Sequence, residues 1–173
     1  MSPIDPDLPL REGLPPLVDA RTRLVVLGSF PGEASLAAGR YYGHPRNQFW
    51  PLVAAVLGAP ADLITRPYDE RCAWLLAQGV GLWDVHARCR RPGSLDADIR
   101  DAQPNDLRQL SAAAPGLRGL AFHGGEAARA MRHGAALGLP MFRLPSSSPA
   151  NAGWSFERKR VAWQQVFASA GLA

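Results

Sequence analysis

The sequence has few of the features that mark disulfide-rich, metal-cluster or membrane proteins. It contains two cysteines, Cys72 and Cys89, in 173 residues, too few for a disulfide framework or an iron–sulfur cluster held by four thiolates. No run approaches the about 18 apolar residues of a membrane helix, and the N-terminus lacks the pattern of an export signal. We therefore expect reduced cysteines and a cytoplasmic protein that contacts no membrane.

Several ligand-binding motifs are also missing. There is no G-x-x-x-x-G-K-[ST] loop and no G-x-G-x-x-G turn, which argues against a nucleoside triphosphate or dinucleotide site. The four histidines lack the spacing of metal ligands, so we expect neither a metal nor a cofactor. His123 before Gly124 and Gly125 is typical of an esterase oxyanion turn, but the G-x-S-x-G elbow of such hydrolases is absent.

Arginine supplies nearly all of the positive charge, because Lys159 is the single lysine. The formal net charge is +4 and the pI is about 9.7. This balance is compatible with a polyanionic partner such as DNA, but a solvated basic surface explains it at least as well. The charge alone does not decide between them.

The order of apolar runs predicts the fold class. Strands are predicted at residues 23–28, 80–85, 119–123 and 139–144, and helices at 45–57, 69–78, 105–113, 124–136 and 156–168. Strands that alternate with helices indicate an α/β protein with a parallel sheet covered on both faces. Residues 1–20 are proline-rich and predicted to be an extended, loosely packed arm, which leaves residues 21–173 as a single domain.

Some finer expectations concern single residues. Asn105 is predicted to cap the helix that follows it, and residues 88–94 are predicted to be a basic, turn-rich connection. The last helix should turn Val161, Trp163 and Phe167 inward. Four tryptophans are predicted to lie in the core: Trp50, Trp83, Trp154 and Trp163.

Residues with chemical potential follow the predicted strands. The carboxyl ends of parallel strands meet at one edge, where open α/β sheets bind their ligands. Gly28-Ser29, Asp84, His123 and the Leu144–Ser146 stretch should therefore share one cleft. The loop after the first of these strands is the richest, since it carries tyrosine, histidine, arginine and asparagine side chains within seven residues.

Four segments resemble the uracil-DNA glycosylase superfamily: GSFPGEASL, YYGHPRNQFW, GLWDV and LPSSSPANA. They are most similar to its hypoxanthine-DNA (deoxyinosine) glycosylase branch, and the resemblance spans residues 22–165. It implies a three-layer α/β/α sandwich with a central four-stranded parallel sheet. It also implies a monomeric, cofactor-free enzyme that flips a base out of double- or single-stranded DNA and hydrolyses its N-glycosidic bond, leaving an abasic site.

The resemblance implies roles in the base pocket. The GSFPG turn would line the pocket with backbone amides, which gives Gly28 and Phe30 base-binding roles. The Asn or Asp that holds the attacking water in other branches is absent from this turn, so Asn47 and Ser29 are the catalytic candidates. Either of them could hold the water. Tyr42 stands where a related branch has a stacking Phe and would stack on the base.

The resemblance also implies contacts to the DNA backbone. LPSSSP matches the motif whose serine and proline hold DNA, and Leu144 replaces the histidine that stabilises a departing uracil in other branches. Arg46 is assigned a phosphate contact. The residues assigned to DNA are His44, Arg46, Pro145, Ser146, Ser147, Ser148 and Asn151.

Asp84 stands where other branches carry the asparagine that reads uracil. An ionised carboxylate only accepts hydrogen bonds, so Asp84 can take the N1–H of hypoxanthine while a backbone amide near Ser29 donates to O6. Adenine has an acceptor at N1 and would leave a buried carboxylate unpaired. Hypoxanthine is therefore the expected base. The alternatives are a uracil-DNA glycosylase for G:U mismatches or single strands, and a non-catalytic module that binds damaged DNA.

Plainer roles compete with these assignments. Asn47 could only cap a helix, Asp84 could cap a helix or form an ion pair, and Tyr42 could be a core aromatic residue. Arg46 could be solvated.

Overall fold

The computed structural model describes residues 5–173, in which two sheets and six α-helices are present. In chain order the strands are β1 (Arg11–Glu12), β2 (Leu24–Gly28), β3 (Val80–Asp84), β4 (His86–Arg90), β5 (Arg100–Pro104), β6 (Gly119–His123) and β7 (Met141–Leu144). The α-helices are α1 (Glu33–Ala38), α2 (Phe49–Leu57), α3 (Tyr68–Ala77), α4 (Gln109–Ala113), α5 (Gly125–Arg129) and α6 (Phe156–Ser169). Short 3₁₀ helices cover Leu63–Thr65, Asp96–Asp98 and Met131–Leu137. None of the described helices has the length and apolarity needed to cross a membrane.

The central sheet is parallel and has four strands in the order β3-β2-β6-β7. This confirms the predicted sheet. The chain passes from β2 to β3 on one side and later to β6 on the other, so the strand order reverses next to β2. Such a reversal opens a crevice at the carboxyl ends of the strands. Gly28 lies opposite Asp84 in the β2–β3 register, and β6 ends at His123 on the other side of β2.

The two faces of β2 belong to two apolar clusters, which makes the protein a three-layer α/β/α sandwich as predicted. Leu24 and Val26 pack in the cluster formed with α2, α3 and α6. Val25 and Leu27 pack in the other, formed with α4, α5 and the 3₁₀ helix Met131–Leu137. All four side chains are fully buried. Burial of each such side chain is worth about 1.5–3 kcal/mol, so helix packing on both faces fixes the sheet.

A second, antiparallel sheet of order β1-β4-β5 lies beside the strand ends. The prediction that residues 88–94 form only a connection was wrong, because β4 takes up residues as far as Arg90. Its register with β5 is irregular. Cys89 is its buried residue, whereas Arg88 and Arg90 form ion pairs with Glu12 and Asp101. A strand with one buried apolar residue leaves almost no alternating pattern in the sequence.

The segment before residue 21 packs more closely than predicted, although residues 1–4 lie outside the described part. β1 pairs with β4, and Leu17 exchanges backbone hydrogen bonds of 2.8 and 2.9 Å with Leu82 at the free edge of β3. The Tyr41 hydroxyl donates to the carbonyl of Pro15 at 2.6 Å. These contacts cover a sheet edge that would otherwise be open.

Other element boundaries also differ from prediction. α2 begins at Phe49 rather than 45, and the helix predicted at 124–136 is split between α5 and the 3₁₀ helix Met131–Leu137. Asn105 does not cap α4, which begins at Gln109. Its side-chain nitrogen instead donates to the carbonyl of Asp84 at 2.8 Å. Val161 is 44% exposed, so its inward placement was wrong as well.

Candidate active site

A cleft of about 850 Å³ opens at the carboxyl edge of the parallel sheet. Its volume lies within the usual range for ligand sites, roughly 300–1,000 Å³. Every predicted site residue except Ser147 borders it. Those residues are Gly28, Ser29, Phe30, Tyr42, His44, Arg46, Asn47, Asp84, Pro145, Ser146, Ser148 and Asn151. Residues far apart in sequence thus meet because the strand order places their loops together.

The floor of the cleft is the contact between Gly28 and Asp84. A Cβ atom on Gly28 would lie 2.5 Å from Oδ1 of Asp84, closer than real Cβ contacts allow. Glycine is therefore required for the carboxyl group to lie against β2. Asp84 is 6% exposed, and its Oδ2 has no hydrogen-bond partner in the described protein. Asp84 forms neither a cap nor an ion pair, which leaves this carboxyl group free to bind a ligand.

The surroundings of Asp84 disfavour the ionised form of its carboxyl group. Burial, together with the neighbouring Asp96 carboxylate, raises the pKa of Asp84 to about 7, and Arg91 opposes part of this shift. A carboxyl group with that pKa is close to half protonated at neutral pH. The sequence analysis assigned Asp84 as an ionised acceptor, whereas burial and the Asp96 charge favour its neutral form.

Asp96 is a site residue that the sequence analysis missed. It begins the 3₁₀ helix Asp96–Asp98 between β4 and β5, and its Oδ1 accepts a hydrogen bond of 2.7 Å from Ser29 Oγ. Burial raises the pKa of Asp96, while the bond from Ser29 and the Arg91 charge lower it. Because the Ser29 hydroxyl donates its hydrogen bond to Asp96, the lone pairs of the Ser29 oxygen remain available to accept a hydrogen bond.

The buried Arg91 side chain holds the glycine-rich turn after β2 next to Asp96. It is 4% exposed and donates to the carbonyls of Pro31, at 2.6 Å, and Gly93, at 2.7 Å. Its guanidinium lies 5.4 Å from the Phe30 ring centroid and 3.7 Å from Asp96. Arg91 thus ties the glycine-rich turn to the second sheet. No sequence signal indicates this role, because the bond from Arg91 to Pro31 spans 60 residues of the chain.

Tyr42 occupies a constrained position at the cleft wall. Its φ of 54° lies in the left-handed region, which residues other than glycine rarely adopt. The ring stacks on Phe49 at 4.0 Å between centroids, so at most its other face can meet a base. Its hydroxyl lies 3.1 Å from Nδ1 of His123. Burial, with Asp84 close by, keeps the pKa of Tyr42 well above its usual range, so the hydroxyl stays protonated.

His123 is neutral and its tautomer is fixed. Its Nε2 accepts a hydrogen bond of 2.8 Å from the backbone N–H of Ser147, a group that can only donate. The proton of the neutral ring must therefore be on Nδ1, which donates to Tyr42. Burial and the nearby Lys159 charge lower the pKa of His123 to about 3. His123 therefore holds Tyr42 in place as a neutral donor.

Asn47 presents a donor to the cleft. Its Oδ1 accepts hydrogen bonds from the backbone N–H of Phe49, at 2.9 Å, and from Ser147 Oγ, at 2.8 Å. Both lone pairs of the amide oxygen are thus used inside the protein. The Nδ2 group makes no recorded hydrogen bond within the described protein. Asn47 therefore supports the start of α2 and still offers an N–H group to a ligand.

Ser147 does not have the DNA contact expected of it. It is fully buried, and its hydroxyl, N–H and carbonyl bind Asn47, His123 and the backbone of Gln48. No polar group is left for a phosphate. Ser147 instead fixes the orientation of Asn47 and the tautomer of His123, a role that only its long-range contacts reveal.

The rim of the cleft carries the remaining polar groups. His44 and Arg46 are exposed, and the Arg46 guanidinium forms no ion pair or hydrogen bond within residues 5–173. Asn151 Nδ2 donates to the carbonyl of Ser146 at 3.1 Å and so shapes the loop after β7. Trp154, predicted to lie in the core, is half-buried at the rim.

The described residues contain no group of three or more His, Cys, Asp or Glu side chains placed to hold a metal ion. The cleft is lined by hydrogen-bonding and aromatic groups, so its chemistry is that of orienting and stabilising a polar substrate.

The fold and the order of the site motifs define a protein class. The family profile of the Uracil DNA glycosylase superfamily matches residues 15–167. The chain therefore belongs to the uracil-DNA glycosylase superfamily.

Two relatives and one solved structure narrow the comparison. The chain is 36% identical over 160 residues to a protein of Methanosarcina barkeri (strain Fusaro) named hypoxanthine DNA glycosylase, a match that covers 91% of this chain and 98% of the relative. A Methanosarcina acetivorans protein of the same name is 35% identical over 158 residues, again covering 91% and 98%. The solution NMR structure of a provisionally named uracil DNA glycosylase from M. acetivorans has a TM-score of 0.82 and 34% identity, and covers 94% of this chain and 99% of its own.

Proposed function

We propose that the protein is a DNA glycosylase that removes hypoxanthine from DNA and leaves an abasic site. The observation that carries this proposal is the Asp84 carboxyl group, buried and partly without a hydrogen-bond partner at the floor of the cleft. The two relatives named hypoxanthine DNA glycosylase support it, since nearly their whole length is matched.

The base is read at the floor. Hypoxanthine presents an N1–H donor beside its O6 acceptor, and a carboxyl oxygen of Asp84 accepts the N1–H. Backbone amides of the turn at Ser29 and Phe30 donate to O6. To reach them the nucleotide leaves the duplex, which costs a few kcal/mol and costs least for a mispaired base. The free face of the Tyr42 ring contributes stacking worth about 1–3 kcal/mol.

Hydrolysis requires an oriented water. Asn47 Nδ2 donates a hydrogen bond to the oxygen of that water, and Ser29 Oγ, which donates its own hydrogen bond to Asp96, accepts a hydrogen bond from the water. The C1′–N9 bond breaks with its electron pair moving to the base, and the water oxygen then bonds to C1′. The water loses one proton and the base gains one, so the products are an abasic sugar and free hypoxanthine.

The departing base carries negative charge in the transition state. Preorganised donors aimed at that charge are usually the largest contribution to catalysis. The backbone amides of the glycine-rich turn supply such donors, because the Arg91 contacts hold the turn in place. Leu144, at the position of a histidine in other branches, supplies none.

The rim holds the DNA. His44, Arg46, Ser146, Ser148 and Asn151 surround the cleft mouth and contact the phosphate backbone on both sides of the flipped nucleotide. We propose that the enzyme acts as a cytoplasmic monomer and needs no metal. Addition of a chelator should leave the rate unchanged, and sedimentation should give the mass of one chain.

A single-turnover assay on labelled duplexes tests the function. We expect alkali-sensitive abasic sites at inosine, and the strongest activity on inosine among inosine, uracil, xanthine and ethenocytosine. Asn47→Ala should lose turnover but keep binding to the inosine duplex. If only uracil were released, the substrate would be uracil and not hypoxanthine. Binding without turnover in the parent chain would indicate a non-catalytic module.

A further inference from the structure

We propose that Asp84 reads hypoxanthine as a neutral carboxylic acid, with one oxygen accepting N1–H and the O–H of the other donating to O6. This inference rests on the proposed function and specifies the chemistry of the same site. It replaces the ionised acceptor that the sequence suggested.

The surroundings of Asp84 carry the inference. The carboxyl group is almost fully buried, and its Oδ2 has no hydrogen-bond partner within the described residues. A buried carboxylate normally collects backbone N–H donors or an adjacent cation that stabilise its charge. The buried Oδ2 of Asp84 has no such donor among the described residues, so its environment favours the neutral form.

The charged groups around Asp84 also favour its neutral form on balance. Asp96, from the turn between β4 and β5, adds a second negative charge; it accepts the hydrogen bond of Ser29 and lies 3.7 Å from the Arg91 guanidinium. Arg91 is the cation that acts on Asp84, but its Nε and Nη2 donate to the carbonyls of Gly93 and Pro31, and its Nη1, which has no hydrogen-bond partner in the described protein, lies 3.7 Å from Asp96. Tyr42, whose hydroxyl also lies next to Gly28, is an uncharged phenol. The raised pKa of Asp84, about 7, agrees with this arrangement.

The donor and acceptor pattern supplies the second reason. Hypoxanthine offers an adjacent N–H and C=O, the same lactam edge that uracil offers. A neutral carboxyl group has one acceptor oxygen and one O–H donor, so it complements that edge in the way a side-chain amide does. An ionised carboxylate would satisfy N1–H but leave two acceptors facing each other at O6.

The transition state adds a third reason. Negative charge develops on the departing purine and is shared with O6. An ionised Asp84 in this low-dielectric pocket would repel that charge, whereas the neutral acid donates to it. Rejection of adenine must then come from the backbone amides that face O6, which would meet the 6-amino group of adenine, and not from a charge on Asp84.

The isosteric substitution Asp84→Asn tests the proposal. Single-turnover rates on an inosine duplex should be measured across pH for the parent and the variant. The parent rate should fall by about tenfold per pH unit once Asp84 ionises. Asp84→Asn should keep the activity within about tenfold of the parent maximum and lose this falling limb. A parent rate that rises through the same titration, or an inactive but folded Asp84→Asn protein, would overturn the inference.

Asp96→Asn provides a second measurement that does not depend on the folding of the first variant. It removes the negative neighbour, so the falling limb should move to lower pH, whatever the absolute rate. No movement, or a movement to higher pH, contradicts the proposal. Infrared spectra of the free parent protein below pH 7 should also contain a protonated-carboxyl C=O band that Asp84→Asn lacks. A parent chain that is inactive on inosine at every pH would instead reject the proposed function, while the infrared result would still decide the charge state.

Discussion

The hydroxyl of Ser147 donates a hydrogen bond of 2.8 Å to Oδ1 of Asn47 across 100 residues of sequence. The same amide oxygen accepts the N–H of Phe49. Since the oxygen is saturated, the amide cannot rotate without losing a bond, and its N–H₂ group stays turned to the cleft. The catalytic candidate is thus oriented by a buried residue that does not itself border the cleft.

Ser147→Ala should therefore reduce the rate while leaving the fold intact. The variant keeps the backbone N–H that fixes the His123 tautomer and loses only the hydroxyl that holds Asn47. We expect a single-turnover rate on inosine duplex lower by roughly ten- to a hundredfold, the cost of a misoriented group. Ser169→Ala is the matched control, because Ser169 is exposed and its hydroxyl donates to the carbonyl of Gln165 within α6. Equal rates for Ser147→Ala and the parent would mean that Asn47 needs no such support.

Gly28→Ala should abolish excision by displacing Asp84. The added Cβ would lie 2.5 Å from the carboxyl oxygen, and the adjacent backbone belongs to a central strand that cannot shift easily. We expect at least a hundredfold loss of rate and a loss of stability of about 1–3 kcal/mol, typical of overpacking. Both are measured on one preparation, by single-turnover kinetics and urea denaturation.

Gly153→Ala is the control for that substitution, because a Cβ there meets no atom within 4 Å. It should change neither quantity. Normal excision by a folded Gly28→Ala protein would show that the close approach of Gly28 and Asp84 has no part in base recognition.

The central sheet was predictable because its strands carry a strong local signal. Leu24–Gly28 and Gly119–His123 are buried at every position, so each is a continuous apolar run followed at once by polar or glycine residues. The topology of such strands then gathers Ser29, Asp84 and His123 without any further information. Asn47 and Tyr42 could be assigned because the resemblance supplied positions for them.

The second sheet and what depends on it were not predictable in this way. β4 reads HARCR, with Cys89 as its buried side chain, and it pairs with β5 in an irregular register. Asp96 reaches Ser29 only because that hairpin folds back over the glycine-rich turn. The burial of Ser147 likewise depends on partners that are 24 and 100 residues away. Local patterns contain no record of such contacts.

Arg46→Ala should weaken DNA binding in a salt-dependent manner. Its guanidinium is exposed at the cleft rim without a partner in the described chain, so a phosphate contact would release a bound counterion. The slope of log K against log salt concentration should become less steep by about 0.9 for duplex DNA. Fluorescence anisotropy over a salt series measures it. Arg118→Ala, at the opposite edge of the sheet, should leave the slope unchanged. An unchanged slope for Arg46→Ala would remove Arg46 from the interface.

The stability of the protein should depend on the proton held by Asp84. Its folded-state pKa of about 7 lies above the ordinary value of 3.8, so between these values the folded state keeps a proton that the unfolded state has released. The free energy of unfolding then falls as the pH rises through this window and levels off above it. Asp84→Asn removes this loss. The variant should become progressively more stable than the parent from about pH 4 to about pH 7, as measured by urea denaturation.

Asp106→Asn is the control for this stability series. The Asp106 carboxyl is exposed, and hydrogen bonds from Arg108 lower its pKa, so its contribution has the opposite sign. The substitution should not reproduce the gain at high pH. If the free energies of unfolding of Asp84→Asn and the parent differed by a constant amount at every pH, Asp84 would have the same pKa in the folded and unfolded chains. Its burial at the cleft floor would then have no electrostatic consequence, contrary to the charge state on which base reading depends.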